Sequence, residues 1–263
     1  MDNILKQTLR KSHFIISTYR FLKTAAVYPL RFTYLGKLQL SNFPLKDVFN
    51  PQKTKLLSVV APYTLAGYPR MTNIYDAALD IERRGIEGAF VECGTWKGGC
   101  AAIMGAIAQR YGNTRKTWYF DSFEGMPDPT PEDGDTTEEI TGDALKASEE
   151  TVKELIFGKL HLSQDHNIIV KGWFENTFPV TKHEVGKIAI LRIDADFYKP
   201  ILYVLEELYD QVVPGGYIIF DDYSRWPGCR QAVDEFVAAR NISPTPFYIG
   251  TYGARVMYWK KGQ

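Results

Sequence analysis

From residue 88 onward the chain alternates short apolar runs with longer helical stretches, and this restricts it to a parallel sheet covered on both faces. The runs are Gly88–Cys93, Lys116–Asp121, Asn167–Lys171, Lys187–Ile193 and Tyr217–Asp221, short as strands buried on both sides should be. Helices are expected between them near Gly99–Tyr111, Ser148–Phe157, Pro200–Gln211 and Cys229–Arg240. Another runs from an N-cap at Thr72 to Arg84, where Gly85 stops it. Pro200 falls in a first turn, where a helix tolerates it. Pro246–Gly250 and Ala254–Lys260 then read as two strands joined by a Thr-Tyr-Gly turn. The expected class is α/β: a doubly wound, mostly parallel, seven-stranded Rossmann-like sheet closed by a C-terminal antiparallel hairpin.

The 263 residues suit one large domain with extensions. Residues 1–60 read as a basic, aromatic N-terminal extension and 61–263 as the domain. An acidic loop at 124–147 suits either a lid over the site or a solvated insertion. The formal net charge is zero, so bulk electrostatics points to no nucleic-acid partner. The charge is uneven, however: residues 1–37 carry seven Lys or Arg against the single acid Asp2, interleaved with Phe14, Tyr19, Phe21, Tyr28 and Phe32. Such a segment suits peripheral contact with an anionic membrane surface. It equally suits burial in a homo-oligomer contact or over the substrate cleft. Cys93, Cys100 and Cys229 are too few and too scattered for a disulfide framework or a zinc site. No apolar run is long enough to span a bilayer, and the N-terminal apolar stretches are broken by Arg20 and Lys23. The expected location is the cytoplasm, with residues 1–37 offering membrane association.

Val91-Glu92-Cys93-Gly94-Thr95-Trp96-Lys97-Gly98-Gly99 follows a strand and opens a helix. Glycines there let backbone approach a ligand. The next strand ends in Asp121, an acid placed to accept from ribose hydroxyls. The spacing is G-x-x-x-G-G, not the dinucleotide fingerprint, and Glu92 would repel a pyrophosphate while suiting a cationic amine. This favours S-adenosylmethionine over NAD; the competing reading is a turn kept for packing. Downstream, Ile193-Asp194-Ala195-Asp196 ends one strand and Asp221-Asp222-Tyr223 the next. Asp194, Asp221 and Asp222 would converge at the sheet's carboxyl edge and repel one another unless a cation or protons intervene. An all-oxygen set points to a hard cation, Mg2+ first. The bland reading makes them separate helix-capping surface acids, and Asp196 suits that role. Trp96, Trp173 and Trp226 lie near strand ends, placed to line the site or to pack the core. None of the four histidines falls in these segments.

In these segments the chain resembles the macrocin O-methyltransferase group, class I methyltransferases typified by enzymes that methylate deoxysugars of antibiotics. The resemblance covers roughly residues 60–260. It rests on Phe90–Gly94, Phe120–Pro127, Gly172–Thr177, Ile193–Asp196 and Asp221–Tyr223. It implies that Asp194, Asp221 and Asp222 ligate magnesium, with Asp194 doubling as general base. It implies a cofactor whose methionine end lies at Glu92 and Gly94, whose ribose lies at Asp121 and whose adenine lies near Gly172, Trp173 and Phe174, with Trp96 and Ser122 as further cofactor-binding residues. Ala195 replaces the group's usual Gly, and Lys199-Pro200 its usual acid-Ser pair.

The implied function is S-adenosylmethionine- and magnesium-dependent O-methylation of a sugar or glycoside hydroxyl, the acceptor being a small molecule or glycan. The alternative is a phenolic acceptor, disfavoured because Phe197 stands where catechol-methylating relatives often place Lys. A nicotinamide-dependent oxidoreductase is disfavoured by Glu92 and by the glycine spacing, and a non-catalytic binding module by the three aspartates.

Overall fold

The expected alternation is realised as five parallel strands: β1 (Ala89–Cys93), β2 (Thr117–Asp121), β3 (Asn167–Lys171), β4 (Ile188–Ile193) and β5 (Val212–Phe220). The computed structural model describes residues 47, 49–112, 114–134, 141–143, 145–250 and 255–262. The basic segment 1–37, residues 135–140 and 144 of the acidic loop and the Thr-Tyr-Gly turn lie outside the described residues. The hairpin strands β6 (Phe247–Ile249) and β7 (Val256–Lys260) pair antiparallel, and β7 joins β5, giving the order β3-β2-β1-β4-β5-β7-β6.

Side chains alternate along each strand, and this divides the interior into two cores. Phe90, Tyr119, Ile190 and Ile219 face α1 (Pro51–Val60), α2 (Tyr68–Arg84), α3 (Gly99–Arg110) and the short α4 (Glu149–Lys153), which continues as a π-helical stretch, Glu154–Lys159. Val91, Phe120, Leu191 and Phe220 face α5 (Phe174–Val185), α6 (Tyr198–Leu208) and α7 (Pro227–Ala239). Among the described residues no helix is long and apolar enough to cross a membrane, and the three cysteines are buried and free.

Four elements differ from the sequence reading. Helix α2 begins at Tyr68 with Pro69 in its first turn, so Thr72 is interior and not a cap; Gly85 ends it at φ 62° as expected. Helix α1 had no periodic signal; Asn50 caps it by accepting from the Lys53 amide, with Pro51 opening the helix. Helix α5 has no counterpart among the expected helices, and it contains Pro179. That ring deprives the Glu175 carbonyl of a partner, and both residues are exposed, which lowers the cost. Strand β5 starts at Val212, and a register break opposite Ile188–Ile190 absorbs the Pro-Gly-Gly stretch.

The chain winds from β1 outward to β3, then crosses back to place β4 on β1's other side. A crevice forms where strand order reverses, beyond the carboxyl ends of β1 and β4.

Candidate active site

Parallel register sets Glu92 of β1 directly beside Arg192 of β4. Both side chains are buried (1% exposed each). Arg192 Nη1 donates to Glu92 Oε1 at 2.6 Å and to Asp194 Oδ2 at 2.8 Å, while Nη2 donates to Asp221 Oδ1 at 2.6 Å. From α2, Arg70 pairs with the other Asp221 oxygen. One carboxylate oxygen from each of Asp194, Asp221 and Asp222 lies within 4.8 Å of the others. Asp222 Oδ2 is buried with no hydrogen-bond partner.

Five carboxylates (Glu92, Asp194, Asp196, Asp221 and Asp222) therefore meet two guanidinium groups. Burial, then the negative charge of Asp196, Asp194 and Asp221, pushes the Asp222 carboxyl well above its ordinary range. Burial raises Asp194 against the opposing pull of Arg192. Asp196 is pushed up to about 7 by burial and then by Asp194. These are the marks of a site short of positive charge. Asp196 is not a helix cap: Phe197 holds the N-cap of α6, and Asp196 lines the pocket in a left-handed conformation, φ 55°.

On the glycine-turn side, Gly94 has φ 85°, and a Cβ there would lie 2.0 Å from the Asp194 carbonyl oxygen. The glycine thus lets the ends of β1 and β4 touch. Glu92 Oε2 accepts from Thr95 Oγ1 at 2.6 Å and from the Ala101 amide at 3.0 Å, tying the turn to the start of α3. Burial pushes Glu92 up to about 7, opposed by Arg192 and Thr95. Glu92 lines the pocket, but its two oxygens already hold three protein donors.

Asp121 accepts from the Trp96 amide at 2.7 Å and the Phe123 amide at 2.8 Å, one on each oxygen. Each oxygen keeps a further lone pair for a ligand. Ser122 Oγ donates to the Gly125 carbonyl and accepts from the Glu124 amide, shaping the turn. Gly172 (φ 136°) leads into Trp173, which N-caps α5 and donates from Nε1 to Glu124 Oε2 at 3.0 Å. Phe174 follows, buried. Every site residue expected from the sequence faces one pocket, and Trp96, Trp173 and Trp226 all line it.

Residues 63–66 before α2 and the first part of the acidic loop complete the lining, and Asp133 fixes the loop. Buried at 2% exposure, Asp133 accepts from the Thr130 amide and hydroxyl through Oδ2, and from the Tyr198 amide at the start of α6 through Oδ1. A Cβ on Gly228, in the first turn of α7, would meet Oδ1 at 1.9 Å. The described segment before residue 135 is thus strapped across two helix N-termini rather than freely solvated. Asp133→Ala is expected to cost about 0.5–2 kcal/mol as a lost cap and to accelerate amide exchange across residues 124–134. Unaltered exchange there would show that the strap is held elsewhere.

Sequence reasoning missed Arg192, Arg70 and Asp133. For Arg192 a signal existed: a charged residue inside an otherwise apolar strand, Ile188-Ala189-Ile190-Leu191-Arg192-Ile193, needs buried partners. Arg70 and Asp133 carried none, since their partners lie 151 and 65 residues away in sequence.

The family model for Macrocin-O-methyltransferase (TylF) matches residues 39–261. The demethyldecarbamoylnovobiocin O-methyltransferase of Streptomyces niveus is 33% identical over 210 residues, 76% of this chain and 76% of that protein. The mycinamicin III 3''-O-methyltransferase of Micromonospora griseorubida is 32% identical over 206 residues, 76% of this chain and 78% of its own. The solved structure of the O-methyltransferase NovP superposes with a TM-score of 0.69 at 31% identity, covering 76% of this chain and 83% of that one.

Proposed function

Because this chain belongs to the macrocin-O-methyltransferase family and is an S-adenosylmethionine-dependent O-methyltransferase, we propose that it methylates a sugar or glycoside hydroxyl with a divalent cation, magnesium first, held by Asp194, Asp221 and Asp222. The observation that carries the cation is the set of three carboxylate oxygens within 4.8 Å of one another, together with the unpartnered, buried Asp222 Oδ2. A carboxylate oxygen only accepts, so a buried one without a donor fits a hard metal ion. Sugar tailoring follows the family.

When bound, the cation stabilises negative charge developing on the acceptor oxygen, and the cofactor supplies an electrophilic methyl group. Asp194 keeps 30% of its side chain exposed, into the pocket, with Oδ2 steadied by Arg192. Its position facing the pocket suits it to take the hydroxyl proton as general base. Asp121, its oxygens oriented by two backbone amides, accepts from the cofactor's ribose. Trp173 and Phe174 give apolar faces to the adenine side, and the Asp133 strap walls the acceptor side. A phenolic acceptor is the second reading; buried Phe197 offers it no cation.

Labelled S-adenosylmethionine with a panel of glycosides should give labelled product with magnesium and background counts with chelator. Full turnover in excess chelator would remove the cation from the reaction. Asp121→Ala should weaken binding of the demethylated cofactor at least about tenfold, as expected for loss of charge-assisted hydrogen bonds. Calorimetry showing equal affinity would take the ribose away from Asp121.

A further inference from the structure

We propose that Arg192 is a positioning residue that joins the cofactor pocket to the cation site and makes the two bind as one linked unit; this rests on the cation reading above. Three strands deliver the carboxylates that one guanidinium holds: Glu92 from β1, Asp194 from the end of β4 and Asp221 from the end of β5. Glu92 belongs to the glycine turn, which it clamps through Thr95 and Ala101. Asp194 and Asp221 belong to the cation set.

The arrangement needs the geometry of arginine and not charge alone. The guanidinium is a rigid plane whose donors point in different directions, so one group spans separated acceptors. Both Nη atoms are engaged while Nε has no partner, so the fork is aimed entirely at the carboxylates. A lysine ammonium carries the same charge as a single point. The chain of contacts runs from Asp221 and Asp194, through Arg192, to Glu92 and the start of α3, with no water-exposed link except Asp194. A cation that fixes Asp194 and Asp221 therefore fixes the guanidinium, then Glu92, then the cofactor turn. Cofactor binding runs the same path in reverse, and linkage requires the two effects to be equal.

The experiment measures manganese binding by paramagnetic resonance, and calorimetric affinity for S-adenosylhomocysteine with and without manganese. The demethylated cofactor lacks the sulfonium charge, so repulsion between that charge and the metal ion is absent. In the wild type, saturating manganese should tighten S-adenosylhomocysteine about fivefold or more. Arg192→Lys should weaken manganese about 10–100-fold, the usual cost of losing a ligand's hydrogen-bond partner, and abolish the tightening. Glu92→Gln leaves the bonds of Arg192 to Asp194 and Asp221 in place. It should keep manganese affinity yet lose the tightening, and it serves if Arg192→Lys does not fold. A purely structural Arg192 predicts a lower melting temperature with both affinities and the tightening intact, and that result overturns the inference. A wild type that binds S-adenosylhomocysteine but no divalent ion overturns the cation reading itself, and this inference with it.

Discussion

Asp194→Asn should slow methyl transfer about 10²–10⁴-fold, the range for loss of a positioned general base, and saturating magnesium should not restore the rate. The substitution preserves shape and one oxygen, so a cation site built on Asp194, Asp221 and Asp222 is weakened but not erased. What disappears is the basic lone pair facing the pocket. The amide also places a neutral group beside Arg192 Nη1, which keeps its bond to Glu92, so folding is less disturbed than by removing the arginine. Single-turnover rates across a magnesium titration separate the two roles. Recovery of the wild-type rate at high magnesium would mean that Asp194 only holds the ion and that the proton leaves by another route.

Gly94→Ala should damage cofactor binding and folding together. Its φ of 85° is strained for alanine, and the added Cβ would lie 2.0 Å from the Asp194 carbonyl oxygen. Neither backbone can yield easily: the Gly94 amide donates to Phe120 and the Asp194 amide to Cys93. Left-handed strain and overpacking together cost about 2–6 kcal/mol, a fall in melting temperature of about 5–20 °C for a chain of this size. Gly112→Ala is the control. Its φ is also positive, 66°, but nothing lies within 4 Å of the added Cβ, so only the backbone strain remains. If the two variants melt alike, close packing of β1 on β4 is not what Gly94 serves.

What the sequence made legible follows from where the information sits. Apolar runs fixed the strands, because burial on both faces leaves no polar alternation to confuse them. Asp121, Asp194, Asp221 and Asp222 stood out because each closes such a run. Helix α5 contains Pro179, a breaker whose cost exposure to water reduces. The carboxylates were readable as a group needing positive charge, but the sequence could not say that two arginines already supply part of it. Arg192 meets Glu92 only once β4 crosses back beside β1, a fact of topology rather than of local pattern. Asp133 lay in a stretch that composition reads as loop, and only its contact with Tyr198 reveals a strut.

The reversal of strand order carries an evolutionary consequence. On the proposed reading, the cofactor-facing residues come from the half of the sheet built by β1, β2 and β3, and the cation-holding carboxylates from β4 and β5. The rest of the pocket wall comes from neither: it is built by residues 63–66 before α2, by the strap at residues 125–134 and by the starts of α6 and α7. If that wall receives the acceptor, a lineage can redraw it, trading one acceptor for another, while the residues behind it stay unchanged.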